Sequence, residues 1–157
     1  MTKPVIKHQL VPLPPRQAFN LFINQIGRWW PVETHSLSAS LNKSLPKNVY
    51  AEPREGGEIL EVCFDGEIRP WGTITDWHPG ERLNIKWYVG RPETEATLIE
   101  ITFEADKNGT RLKLVHSGFD ALKETANEIR QGYDAGWNGV LGANFQELCS
   151  RAEISKD

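Results

Sequence analysis

The stretch QGYDAGWNGVLGANFQEL (residues 131–148) carries an apolar stripe at helical spacing, Tyr133, Trp137, Val140, Leu141, Phe145 and Leu148, together with Gly132, Gly136, Gly139 and Gly142. Each interior glycine costs a helix about 0.8 to 1 kcal/mol relative to alanine, so the four together forgo about 3 to 4 kcal/mol of local preference. Tertiary packing must hold this helix. At about 100° of rotation per residue, Gly132, Gly136, Gly139 and Ala143 stack on one stripe at the margin of the apolar face. A glycine stripe there either lets a strand backbone approach closely or leaves volume free for a ligand. Both uses stand on the sequence.

Upstream of this helix the hydrophobic period is two. NVYAEP, GEILEVCF, RPWGTITDW, RLNIKWYV, EATLIEITFEA and TRLKLVH, between residues 48 and 116, are strand-length runs rich in β-branched and aromatic residues. They are separated by turn chemistry: REGG, FDGE, HPGE, GRPET and DKNG. Consecutive strands with short turns predict an antiparallel meander. Leu112, Leu114 and His116 share one face of its last strand, and Arg111 and Lys113 the other. Glu58, Glu61, Glu100 and Glu104 are expected to face solvent. At the N-terminus, VIKHQLV (5–11) alternates Ile6, His8 and Leu10 against Lys7 and Gln9, a seventh strand stopped by PLPP. A helix from Pro14 or Pro15 to Gly27 follows, with Ala18, Phe19, Phe22, Ile23 and Ile26 on one face. RWWP closes it, and THSLSASLNKSLPKN reads as a long irregular connection.

The predicted architecture is α+β: a curved antiparallel sheet of about six to seven strands, one or two short helices after the first strand, and a long C-terminal helix lying across the face that needs cover. Residues 1–157 are read as one domain, since no linker or repeat divides them. The composition, 39% hydrophobic and 25% charged, suits one domain with its own core. A net charge of -3 without a Lys/Arg run gives no footprint for nucleic acid. No apolar window reaches membrane-spanning length and no signal peptide is visible, so the expectation is a cytoplasmic protein without a membrane partner. Cys63 and Cys149 form no C-x-x-C pair and are read as free thiols. The four histidines show no metal-ligand spacing, and no nucleophile elbow, P-loop or dinucleotide fingerprint occurs. No metal and no cofactor is expected.

Trp71, Trp87 and Tyr133 are either walls of an aromatic pocket with a few polar handles or core filling. His116 points toward the helix, either as a polar group at a cavity mouth able to serve as acid or base, or as a satisfied core histidine; no Ser, Cys or Asp partner can be assigned to it by spacing. Trp29 and Trp30 either gate an entrance or plug the end of the sheet, and the plug is the reading adopted.

The series RWWP, AEPREGGEILE, WGTITDWHPGERLNIKW, TLIEITFEADKNGTRLKLVHSGF and GWNGVLGANFQEL resembles the bacterial branch of the activator of heat shock protein 90 ATPase homologue family, of the START-like (SRPBCC), birch-pollen-allergen-like superfamily, over residues 4 to 150. The resemblance implies the helix-grip fold, a bent sheet wrapped around the C-terminal helix with the first strand beside the last, and in many members a cavity between them. Function is less constrained, because superfamily members bind lipids, hormones or polyketides, catalyse cyclisation or hydrolysis, or engage a chaperone. The first expectation is therefore binding of an apolar or amphipathic small molecule by a lining of Trp71, Trp87, His116, Tyr133, Gly136, Trp137 and Gly139. The alternatives are a chaperone-activator-like protein interaction module, and a cyclase or hydrolase using His116. The protein is expected more as a binder than as an enzyme.

Overall fold

A computed structural model describes residues 2–154. Strand β1 (Val5–Val11) leads into a short helix α1 (Pro15–Phe19), whose proline at the first helical position lacks an N–H that would have gone unused. The chain continues through a widened, π-type turn (Asn20–Asn24) into α2 (Ile26–Trp29). The expected single helix is thus broken, although Ala18, Phe19, Phe22, Ile23 and Ile26 all bury the face that their spacing predicts. The segment expected to be irregular contains a helix, α3 (Leu37–Asn42), capped by Ser36, whose hydroxyl oxygen accepts the Ala39 N–H at 3.0 Å.

Six strands follow: β2 (Asn48–Ala51), β3 (Glu58–Val62), β4 (Ile68–His78), β5 (Arg82–Trp87), β6 (Thr97–Asp106) and β7 (Gly109–Ser117). With β1 they form one antiparallel sheet of seven strands in the order β1-β7-β6-β5-β4-β3-β2. The first strand pairs with the last, from Val5 opposite His116 to Val11 opposite Thr110, as the helix-grip expectation requires. Gly118, at φ 79°, turns the chain out of the sheet, a conformation open to glycine at no steric cost. A 3-10 segment (Phe119–Thr125) then leads into a long helix: α4 (Ala126–Gly139), a widened π-type turn (Val140–Phe145) and α5 (Gln146–Ile154).

That helix closes the concave face. Trp137, Val140, Leu141, Phe145 and Leu148 share one core with Ile85, Ile101, Leu112 and Leu114 of the sheet, and with Phe22 and Trp29 of the early helices. The Phe145 ring lies 5.3 Å from that of Phe22 and 4.8 Å from that of Trp29. The architecture is the helix grip.

Two faces invert what hydrophobicity suggests. On β1 the apolar Ile6 and Leu10 are exposed, while Lys7 and Gln9 turn to the helix, Lys7 pairing with Asp134 at 2.7 Å and Gln9 donating to the Gln146 amide oxygen at 2.9 Å. On β3, Glu61 is fully buried beside Ile59, not solvent-facing as expected. Its carboxylate is in demand inside the molecule.

Candidate ligand-binding site

A cleft in two adjoining lobes flanks the C-terminal helix, the larger against the sheet and the smaller against the loop that carries Trp30 and His35. The larger, of about 590 Å³, is walled by Trp30, Trp71, Trp87 and Tyr133, floored by Leu37 and Val89, and rimmed by Thr34, Ser40, Arg91 and Glu95. The smaller, of about 290 Å³, lies along α4 between Trp30, His35, Ile129, Gly132, Tyr133, Gly136, Trp137 and Val140. Trp30, His35 and Tyr133 belong to both and form the partition. The Trp30 indole packs among three others, with ring centroids 5.5 Å from Trp71, 5.7 Å from Trp87 and 5.8 Å from Trp137, and it donates its N–H to the His35 carbonyl at 2.7 Å.

The polar atoms of the wall are largely committed. Trp71 donates its indole N–H to Glu61 at 2.9 Å, and Trp87 donates to the Tyr133 hydroxyl oxygen at 3.0 Å. Burial pushes the Tyr133 hydroxyl above the usual phenol range, so it keeps its proton and can donate it. Arg91 pairs with Glu95 at 3.0 Å across the rim.

Glu61 fixes the wall from behind. Its carboxylate accepts the backbone N–H groups of Leu37 and Ser38 at 2.8 Å each, the Ser38 hydroxyl at 2.6 Å and the Trp71 indole N–H. Burial alone would raise its pKa; the donated hydrogen bonds outweigh that and hold it below the ordinary carboxylate value. One buried charge thus ties the start of α3 to the Trp71 ring, the two sides of the larger lobe.

His116 stands behind the cleft, outside its lining. It is fully buried, and both ring nitrogens are engaged: Nδ1 accepts the Trp137 indole N–H at 3.1 Å, which leaves the proton on Nε2, 2.7 Å from Thr97 Oγ1. The Thr97 hydroxyl in turn donates to the Trp87 carbonyl at 3.3 Å. Burial lowers the His116 pKa to about 3, so the ring is neutral at physiological pH. It is a satisfied core histidine that fixes the Trp137 ring, and nothing in this arrangement offers it a substrate.

Of the expected lining, the structure brings together Trp71, Trp87, Tyr133, Gly136 and Trp137 and leaves out His116 and Gly139. Gly139 is exposed, with no atom within 4 Å of where its Cβ would stand. Neither Gly132 nor Gly136 abuts a strand backbone; a Cβ on Gly136 would meet only His35 Nε2, at 3.9 Å. Close approach of a strand therefore does not explain these two glycines: Gly132 is exposed, and the space over Gly136 is open up to the His35 ring. Sequence reasoning missed Thr34, His35, Ser36, Leu37, Arg91 and Glu95. The first four fall in the segment read as irregular, and a serine cap before an apolar residue was the one local signal of its helix. Trp29 is buried, its indole N–H shared between the Leu21 and Phe22 carbonyls, whereas Trp30 sits within the cleft and not at the end of the sheet. Among the described residues no group of His, Cys, Asp and Glu could hold a metal ion, no helix is long and apolar enough to cross a membrane, and both cysteines are unpaired.

The family model described as Activator of Hsp90 ATPase homolog 1-like protein matches residues 12–150. No curated protein matches the chain. Among solved structures, the anthrahydroquino-γ-pyrone synthase Txn09, in complex with a ligand designated SUM, is 27% identical over 94% of this chain and 97% of its own, with a TM-score of 0.66. Protein MLL2253 from Mesorhizobium loti is 15% identical, covering 95% of this chain and 98% of its own at a TM-score of 0.67. The AHSA1-like protein from Aeromonas hydrophila is 14% identical, covering 97% and 95% at 0.65. The last two likenesses speak to the fold alone.

Proposed function

The chain belongs to the Activator of Hsp90 ATPase homolog 1-like family, and we propose that this member binds an apolar or amphipathic small molecule in its two-lobed cleft. The observation that carries the reading is the cleft itself: an aromatic-walled space of about 590 Å³ that shares Trp30, His35 and Tyr133 with an adjoining one of about 290 Å³, the latter bordered by glycines at positions where a helix prefers side chains. Ligand sites typically offer about 300 to 1,000 Å³, apolar walls and a few placed polar groups. Most polar wall atoms are already satisfied, which suits an uncharged, flat guest. A chaperone-activator-like module would work through its outer surface and would leave this space without a purpose.

A cyclase-like role is the second reading, and the 27% identical γ-pyrone synthase is what favours it. His116 does not serve that chemistry, for the reasons given above.

Native mass spectrometry of protein purified without denaturation tests the first reading directly. A retained or added hydrophobic molecule should bind one per chain. Gly136→Leu, which fills the smaller lobe, should lose that occupancy, whereas Gly139→Leu, on the exposed side of the same helix, should keep it and gain up to about 1 kcal/mol of stability. Undiminished binding by the Gly136 variant would refute the smaller lobe as part of the site; no binding of any hydrophobic probe by the parent would refute the reading as a whole.

A further inference from the structure

The cleft retains two uncommitted polar side-chain groups on residues that border both lobes, and they are of opposite kind. His35 is held from several sides: its carbonyl accepts the Trp30 indole N–H at 2.7 Å, its backbone N–H donates to the Pro31 carbonyl at 2.9 Å, and its ring Nδ1 lies 2.7 Å from Thr34 Oγ1. Thr34 Oγ1 is also 3.4 Å from the Pro31 carbonyl, to which it donates its proton. The oxygen is then the acceptor of Nδ1–H, so Nε2 carries the lone pair. That nitrogen faces the gap left by Gly136. Tyr133, which borders both lobes, accepts Trp87 N–H on its oxygen at the larger one and has its own O–H to give.

Resting on the ligand-binding reading, we infer that the cleft takes a flat aromatic hydroxyketone, with His35 Nε2 receiving the proton of its phenolic or enolic hydroxyl and Tyr133 O–H donating to its carbonyl. In the proton step the ligand O–H bond breaks, an Nε2–H bond forms, and the electron pair stays on the ligand oxygen as phenolate or enolate, opposite an imidazolium. Thr34 is a positioning residue: by accepting Nδ1–H it selects the tautomer that presents a base to the lobe. This chemistry differs from that of His116, whose two nitrogens are both spent within the core.

Alizarin, a planar hydroxyquinone whose absorption reddens on ionisation, and its 1,2-dimethyl ether make the comparison. The parent should bind alizarin about tenfold tighter than the ether, the worth of one good hydrogen bond to a ligand, and the bound dye should show the ionised band. His35→Gln, on an exposed side chain, should abolish that band and bring the two dyes to equal affinity; Thr34→Val should weaken the band and Thr34→Ser restore it. Equal affinities for the two dyes, or an ionised band that survives in His35→Gln, would overturn the inference. Should neither dye bind while native mass spectrometry finds another hydrophobic ligand, the inference falls and the binding reading stands; should nothing bind at all, both fall.

Discussion

His116 ties the two layers of the fold through one ring. Its Nδ1 holds the Trp137 indole on α4, and its Nε2 reaches Thr97 on the neighbouring strand. Burial disfavours the charged ring and lowers the pKa from its ordinary value of 6.5 to about 3, and protonation would also turn Nδ1 into a donor facing the Trp137 N–H. Below pH 6.5 the unfolded chain takes up a proton that the folded chain refuses, so stability from this residue is complete above pH 6.5 and is lost as pH falls toward 3. Between pH 7.5 and 5 the loss should be about 2 kcal/mol, in a range where most carboxylates remain ionised. His116→Gln should flatten that slope in chemical denaturation, at a cost of about 1 to 3 kcal/mol at neutral pH from imperfectly paired partners. A slope unchanged in the variant would mean that another group sets the acid sensitivity.

At the scale of elements, α3 is too short to hold itself, since isolated helices of fewer than about 12 to 15 residues are marginal in water. Glu61 supplies what its sequence lacks, a negative charge against its first N–H groups. Glu61→Gln keeps the shape but turns an NH₂ toward a cluster of donors, and should lower stability by about 2 to 4 kcal/mol, with loss of ligand occupancy because Leu37 and Ser40 of α3 line the larger lobe. Thermal melting with native mass spectrometry checks both, and a variant that melts like the parent would show that the charge is dispensable. The same contacts explain which elements could be read in advance. The strands of the meander announce themselves by period two and by the turns between them, and their pairing follows from order. The helix α3 and the inward carboxylate depend on each other across the chain, Leu37 on one side and Glu61 on the other. Alternation within GEILEVCF offers Leu60 and Val62 as the inward face, whereas the fold buries Ile59 and Glu61.

For the whole molecule, the question is what fills the space between a bent sheet and a helix that crosses it. The tryptophans Trp71 and Trp87, which the sequence leaves open between pocket wall and core filling, and Trp137 are buried in the core and border the cleft from both layers. Trp30 enters between them from the loop after α2, and its place could not follow from periodicity, because it lies outside any periodic element. It borders both lobes, and its single polar atom is secured to the backbone of the loop that carries His35. Trp30→Ala should therefore have two effects of opposite value. The half-buried ring is a large apolar loss, so stability should fall by about 2 to 3 kcal/mol, somewhat less than for a fully buried tryptophan. The lobes should merge, so that one anilinonaphthalene sulfonate per chain binds several-fold more tightly than to the parent, at temperatures well below melting. Loosened packing also binds this dye, and near-UV circular dichroism distinguishes the two: a native signal with saturable one-to-one binding supports a chamber. Unchanged dye affinity in a natively packed variant would mean that the indole is a wall of the site and not the partition within it.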